Sequence, residues 1–135
     1  IHLGAMRRHD AGAVVHTHSQ VACAIGCVVE ELPVVHYAMT LFGGPVRVAP
    51  YIGFGTPELA EAALDALEDR EAVLLSNHGA VVLGKSIEHA ADMARLLEWS
   101  CGVYRDAAAV GEPRTLTEAE QVLAEERLRA RGGRV

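Results

Sequence analysis

The chain has 135 residues and a net charge of −6, from 12 basic and 18 acidic side chains. This length suits one domain with one hydrophobic core. Hydrophobic residues make up 50% of the chain, but no run approaches the roughly 20 apolar residues that a membrane-spanning helix needs. No signal-peptide pattern opens the sequence, so we expect a cytoplasmic protein without a membrane partner.

Arginine and cysteine usage argues against two further classes of protein. The C-terminal arginines follow two glutamates and have no aromatic neighbours (Glu125, Glu126, Arg127, Arg129, Arg131 and Arg134). Such a pattern is typical of a solvated helix end and does not indicate a nucleic-acid partner. Three cysteines, an odd number, argue against a disulfide framework. Cys23 and Cys27 share a predicted helix face, where we expect core thiols.

The sequence of the first half of the chain predicts a helix, then a strand, then a second helix. It opens at Ile1 inside an amphipathic helical pattern and without an initiator Met, which suggests a missing upstream segment. The alternating segment Ala13–His18 predicts a strand. Ser19 is a candidate cap for an apolar helix that runs to about Glu30. Pro33 follows this helix, and short extended segments are expected at 34–35 and 46–49.

The second half has clearer helix starts and two apolar strands. A capping hydroxyl, a proline at the first helical position and an acidic residue open a helix at Thr56 that runs to about Asp69. A Ser-Asn-His-Gly segment then joins two β-rich runs in a predicted hairpin-like connection. The remaining elements are strands at 72–75 and 80–83, a long helix at 86–109 and a last helix opened by a capping box at 117–120. Interleaved strands and helices predict an α/β sandwich with a covered sheet.

His16 and His18 form the first part of a candidate metal site. They lie two residues apart on a predicted strand, so both imidazoles project from the same face, while Thr17 points to the other. Two nitrogens in this arrangement can converge on one ion. Two surface or capped histidines are the alternative interpretation.

His78 is the candidate third ligand. It follows an apolar strand and precedes Gly79, and a glycine there permits close approach of the backbone or an unusual φ angle. Three neutral imidazoles leave a fourth coordination position open, as a catalytic zinc requires. The other histidines are weaker candidates, since His9 falls in a predicted turn and His89 on the long helix.

Several common catalytic motifs are absent from the sequence. There is no GxGxxG after a strand, no Walker-type phosphate loop and no GxSxG elbow. The one lysine, Lys85, follows a glycine beside a helix start, where a Schiff-base role is not expected. Metal-assisted chemistry is therefore the best-supported class.

Four segments, in this order and spacing, resemble the class II aldolase/adducin family. They read AVVHTHS, LPVVHYAMTLFGG, PYIGFGTPEL and LLSNHGAVVLG, at 13–19, 32–44, 50–59 and 74–84. Paired histidines followed about sixty residues later by Asn-His-Gly form a specific signature. Within the family, the motifs are most similar to the branch of the L-fuculose-phosphate aldolases.

The resemblance implies a fold and a set of site residues. The expected fold is a three-layer α/β/α sandwich with a mostly antiparallel central sheet. The family's zinc-binding histidines fall on His16, His18 and His78. By the same resemblance Tyr37 is the candidate that assists proton transfer, with a core phenol bonded to the backbone as the alternative, and Phe54 is expected to form part of the wall of the substrate site. The expected cofactor is Zn²⁺, with Mn²⁺ or Co²⁺ as alternatives.

The resemblance also implies an assembly and exposes departures from the family pattern. Members commonly form cyclic homotetramers with active sites at subunit boundaries. The family's phosphate-binding loops and its catalytic Glu precede the position that matches Ile1. Its C-terminal Tyr has no counterpart here, because nothing aromatic follows Tyr104. We therefore expect residues 1–135 to form a single class II aldolase-like domain without its N-terminal portion.

The implied reaction is cleavage of a phosphorylated ketose such as L-fuculose 1-phosphate into dihydroxyacetone phosphate and an aldehyde. The resulting hypothesis is a zinc-dependent lyase, although activity of this chain alone is in doubt without the upstream segment. Two alternatives stay open from the sequence. One is a pentulose-phosphate 4-epimerase or sugar-phosphate dehydratase of the same family, and the other is an adducin-like, non-catalytic interaction module.

Overall fold

A computed structural model describes residues 1–132, so Arg134 of the arginine-rich end lies outside the described residues. Within the described part, no helix combines the length and apolar character needed to cross a membrane. The elements in chain order are α1 (His2–Arg8), β1 (Ala13–Thr17), α2 (Gln20–Gly26), β2 (Glu31–Leu32), a 3-10 helix (Tyr37–Phe42), β3 (Val46–Ala49), α3 (Pro57–Ala66), β4 (Ala72–Leu75), β5 (Gly79–Gly84), α4 (Ile87–Val110) and α5 (Glu118–Ala130).

The five strands form one sheet in the order β1-β5-β4-β3-β2. Neighbouring strands are antiparallel except β3 and β4, which are parallel. A parallel pair needs a crossover connection, and α3 provides it between these two strands. The predicted mostly antiparallel sheet is confirmed, although the sheet is mixed.

Both faces of the sheet are covered by helices. Side chains alternate along a strand, and β4 shows this clearly: Ala72 and Leu74 belong to one apolar cluster, and Val73 and Leu75 to the other. The first cluster includes residues of α2 and α4 (Ala22, Ile25, Met93 and Leu97). The second includes residues of α1 and α3 (Ala5, Ala63 and Leu64). The predicted three-layer α/β/α sandwich is therefore confirmed.

Four elements differ from the sequence prediction. Strand β2 lies at Glu31–Leu32, whereas the sequence predicted an extended segment at 34–35. Helix α2 ends at Gly26 instead of near Glu30, because the Cys27 N–H bonds to the Ala24 carbonyl and closes a tighter last turn. Helix α3 ends at Ala66 instead of near Asp69. The φ of Asp69 is 59°, a left-handed conformation that does not belong to an α-helix. The 3-10 helix was not predicted, since its buried side chains do not follow the 3.6-residue period of an α-helix.

Candidate metal centre

His16 lies on β1, and His18 follows directly after its last residue. Their ring centroids are 4.7 Å apart, and their Nε2 atoms are separated by 3.0 Å. The prediction that both imidazoles project from the same side is confirmed. Two ring nitrogens this close can bind one ion together.

His78 reaches the same place from a different part of the chain. It lies in the turn Ser76–His78 between β4 and β5, and not at the end of a strand as the sequence suggested. Antiparallel pairing of β1 with β5 aligns Thr17 with Ala80, which brings this turn beside the end of β1. The His78 ring centroid is 5.1 Å from that of His16 and 5.1 Å from that of His18.

The three imidazoles fit a divalent metal ion. One nitrogen from each ring lies within 4.8 Å of the others. For tetrahedral zinc with Zn–N bonds of 2.0–2.1 Å, ligand nitrogens are roughly 3.3 Å apart. Small side-chain rotations therefore suffice to bind the ion. With three protein ligands, a fourth position is left for water or substrate.

The environment of His16 favours the protonation state that a metal ligand needs. Its Nδ1 lies 2.8 Å from the Ala80 carbonyl oxygen. A carbonyl can only accept, so Nδ1 carries the hydrogen and Nε2 presents a lone pair toward His18. Burial lowers the pKa of His16 against the opposing effect of this hydrogen bond, and the neighbouring histidines lower the pKa further. The ring is thus kept in its neutral form.

Gly79 allows the two strands that carry the site to approach each other. A Cβ atom at this position would overlap the Thr17 carbonyl oxygen and lie 2.8 Å from Cδ2 of His18. Of the two roles expected for this glycine, the structure shows close approach of the backbone. Any larger residue here would push β1 and its histidines away from the His78 turn.

Helix α2 contacts the His78 turn through two thiols. The Cys23 thiol donates to the His78 carbonyl oxygen at 3.4 Å, and the Asn77 amide donates to Cys27 Sγ at 3.4 Å. The expectation of core thiols is wrong for Cys27, which is exposed, while Cys23 is half-buried. The amphipathic pattern placed Cys27 inside a longer helix, whereas the structure has it at the C-cap.

The N-terminus of α2 is held by a residue that sequence reasoning missed. Ser19 occupies the N-cap but makes no side-chain cap hydrogen bond. Instead, the Glu98 carboxylate on α4 accepts from the backbone N–H groups of Val21 and Ala22, each at 2.8 Å. No local signal reveals this contact, because the partners are 77 and 76 residues apart.

The two remaining predicted site residues lie away from the histidine cluster. Tyr37 is 46% exposed and packs on His36, with ring centroids 4.4 Å apart. It lines a cavity of about 640 Å³ along α5, and no histidine of the cluster is among the described residues that line it. Phe54 is 85% exposed in the loop before α3. Their roles in catalysis and substrate binding stay predictions.

The other histidines occupy the secondary places expected for them. His89 is exposed at the start of α4, where its Nδ1 accepts from the Lys85 backbone N–H at 3.2 Å. His9 follows the last residue of α1. His2, also on α1, has its ring centroid 6.4 Å from that of His16 and is not part of the three-nitrogen cluster.

Sequence comparison agrees with this architecture. The profile of the family described as Class II Aldolase and Adducin N-terminal domain matches residues 1–105, which include all three histidines. The chain belongs to the class II aldolase and adducin family. The chain spans about half the length of the curated relatives that it matches.

Three similar proteins illustrate the range of this family. A 5-deoxy-D-ribulose 1-phosphate aldolase of Bacillus thuringiensis serovar kurstaki is 42% identical, over 84% of this chain and 54% of its own length. The L-fuculose phosphate aldolase of Escherichia coli K12 is 34% identical, over 85% and 54% respectively. A solved L-fuculose 1-phosphate aldolase superposes with a TM-score of 0.83 at 37% identity, over 87% of this chain and 55% of that one.

Proposed function

We propose that this protein is a metal-dependent aldolase that cleaves a phosphorylated ketose to dihydroxyacetone phosphate and an aldehyde. The observation that carries the proposal is the convergence of His16, His18 and His78 within 4.8 Å in a chain of the class II aldolase family. The similar proteins are named as aldolases of 5-deoxy-D-ribulose 1-phosphate and L-fuculose 1-phosphate, and we propose deoxyketose 1-phosphates as the substrate class here. L-fuculose 1-phosphate and 5-deoxy-D-ribulose 1-phosphate are the first two candidates.

The three histidines would hold the metal ion, which we propose to be zinc. A bound divalent cation supplies Lewis-acid stabilisation of negative charge that develops on substrate oxygens as a carbon–carbon bond breaks. The residues themselves hold the ring nitrogens in place: Ala80 orients His16, and the turn between β4 and β5 positions His78. Affinity alone does not select one divalent metal for such a site, so we propose manganese and cobalt as substitutes for zinc.

Tyr37 and Phe54 enter the proposal as substrate-facing residues. Their exposed side chains, 46% and 85%, are accessible to a substrate at a boundary between subunits, where the family resemblance locates active sites. We propose that Tyr37 transfers a proton through its hydroxyl and that Phe54 covers the sugar chain. Homotetramer formation and a cytoplasmic location belong to the same proposal and rest on that resemblance.

The first experiment measures metal content per chain in the purified protein by elemental analysis. We expect about one zinc per wild-type chain and none in His16→Ala or His78→Ala, because either change removes one of three ligands. Circular dichroism should show that the variants keep their helices. Unchanged zinc content in either variant would remove that histidine from the metal centre.

The second experiment measures the reaction on the two ketose 1-phosphates, with zinc supplied. Release of dihydroxyacetone phosphate supports the aldolase, and its loss in His78→Ala links the reaction to the metal centre. Formation of an epimer without fragments would favour an epimerase, and loss of water from the sugar would favour a dehydratase. A wild-type chain that binds no metal but forms a stable assembly would favour the adducin-like interaction module.

A further inference from the structure

The three candidate ligands are held in different ways. His16 lies on a strand whose pairing with β5 runs from Ala13 to Thr17, and His18 follows that strand directly. His78 instead lies in a three-residue turn, next to Asn77 with a φ of 53°. Few residues other than glycine adopt this left-handed conformation, although asparagine tolerates it. The direction of the His78 imidazole therefore depends on what fixes the turn.

Two side chains, one on α2 and one at its C-cap, contact consecutive residues of this turn. The Cys27 sulfur accepts from the Asn77 amide, and the Cys23 thiol donates to the His78 carbonyl, both at 3.4 Å. The Ser76 hydroxyl donates to Asn77 Oδ1 at 2.9 Å, which turns the amide nitrogen toward Cys27. Each polar group of the Asn77 side chain thus has a partner that opposes rotation of the turn.

Helix α2 is itself fixed at both ends, so its thiols are well placed to hold the turn. At its start, the Glu98 carboxylate accepts from two backbone N–H groups. At its end, Gly26 lies against β4, where an added Cβ would be 3.3 Å from the Leu75 carbonyl oxygen. Leu75 is the residue directly before the turn. The helix and the turn are therefore packed together as one unit.

We infer that Cys23, Cys27 and Asn77 are positioning residues of the metal centre, which set the orientation of His78 through the turn. This inference rests on the proposed metal site and adds a device on α2 that fixes its third ligand. The thiols do not bind the ion, since the cluster of mutually close donors consists of the three histidines. Groups that orient metal ligands typically contribute 10- to 100-fold to metal affinity.

The test compares zinc affinity in the full chain, by competition with a chromophoric chelator, for wild type and four variants. Cys23→Ala removes the donor to His78, and Cys27→Ala removes the acceptor of the Asn77 amide. Asn77→Gly removes that amide and keeps the left-handed backbone accessible. We expect each to weaken zinc binding about 10-fold. When cobalt replaces zinc, the visible absorption spectrum of each of these variants should differ from that of wild type, because the geometry of the ligands changes.

Cys101→Ala is the matched control. Cys101 is fully buried in the core, so its truncation should lower thermal stability while zinc affinity and the cobalt spectrum stay as in wild type. Zinc affinities of Cys23→Ala, Cys27→Ala and Asn77→Gly that all stay within twofold of wild type would overturn the inference and leave the proposed metal centre intact. An equal loss of affinity in Cys101→Ala would also overturn it, since reduced stability would then explain the effect. Failure of wild type to bind zinc would overturn both the inference and the proposed function.

Discussion

Helices α2 and α5 begin in different ways. At α5, Thr117 and Glu120 form a capping box, in which each side chain satisfies a backbone N–H of the other residue. At α2, the N-cap Ser19 makes no such bond, and the Glu98 carboxylate takes its place from α4. The first cap lies within four consecutive residues, whereas the second exists only after α4 has packed on α2.

The same contrast extends to the surroundings of each helix. Around α2 lies the candidate metal centre, where the contacts join distant residues: His16 with Ala80, and Cys23 with the carbonyl of His78. Helix α5 packs on the 3-10 helix, which also begins with a local cap, the His36 ring accepting from the Ala38 N–H. The region of α2 and the candidate metal centre should therefore be more sensitive to single substitutions than the region of α5 and the 3-10 helix.

The largest effect is expected for Gly79→Ala. The added methyl group overlaps the Thr17 carbonyl oxygen, so β1 and β5 must separate. We expect a loss of about 3 kcal/mol or more in the free energy of unfolding, together with loss of zinc binding. Urea unfolding and zinc titration of the same sample measure the two effects.

Gly102→Ala on α4 is the control for that change. A Cβ at Gly102 meets no atom within 4 Å, and alanine is favoured over glycine inside a helix by roughly 0.5–1 kcal/mol. Similar stability of the two variants would show that close approach at Gly79 does not matter.

A smaller loss of stability is expected when the caps of α2 and α5 are removed, and the loss should differ between the two helices. Glu98→Ala leaves two backbone N–H groups of α2 without their charged acceptor, so we expect a loss of about 2–3 kcal/mol in the free energy of unfolding. Thr117→Ala removes a local cap of α5 and should cost about 1 kcal/mol. Chemical denaturation of both variants gives the comparison. An equal or larger loss in Thr117→Ala would contradict the greater sensitivity of the region around α2 and the candidate metal centre.

The smallest effect concerns pH at the 3-10 helix. Burial lowers the pKa of His36, and a protonated ring can no longer accept from the Ala38 N–H at Nδ1. The unfolded chain therefore binds this proton more readily than the folded one. The contribution of neutral His36 to the free energy of unfolding is complete above the pKa of His36 in the unfolded chain, near 6.5. It is lost as pH falls through the lower pKa of His36 in the folded protein.

His36→Asn keeps a capping acceptor but does not titrate. Melting temperatures of the metal-free protein between pH 7.5 and 5.5 should fall more steeply in wild type than in this variant. Parallel curves for the two proteins would show that His36 does not contribute to the acid sensitivity. Metal-free conditions keep proton competition at the metal ligands out of the measurement.

Local patterns were enough to predict much of this protein. Strand alternation identified β1 and the shared face of His16 and His18, because the two-residue period is a property of the backbone itself. Capping residues identified the starts of α3, α4 and α5, since each cap bonds within its own first turn. The place of His78 after an apolar strand and before Gly79 made it the candidate third ligand, the family resemblance pointed to the same residue, and the structure brings it to the other two.

Only the tertiary structure decided how those parts meet. The Glu98 cap, the contact of the Ala80 carbonyl with His16 and the two thiol contacts with the His78 turn all join residues at least 50 positions apart in sequence. The linear sequence shows the hydrophobic period of each helix or strand and the residues that cap a helix locally. The contacts that orient the candidate metal ligands form only when the sheet brings distant strands together, so they have no signature within any one segment.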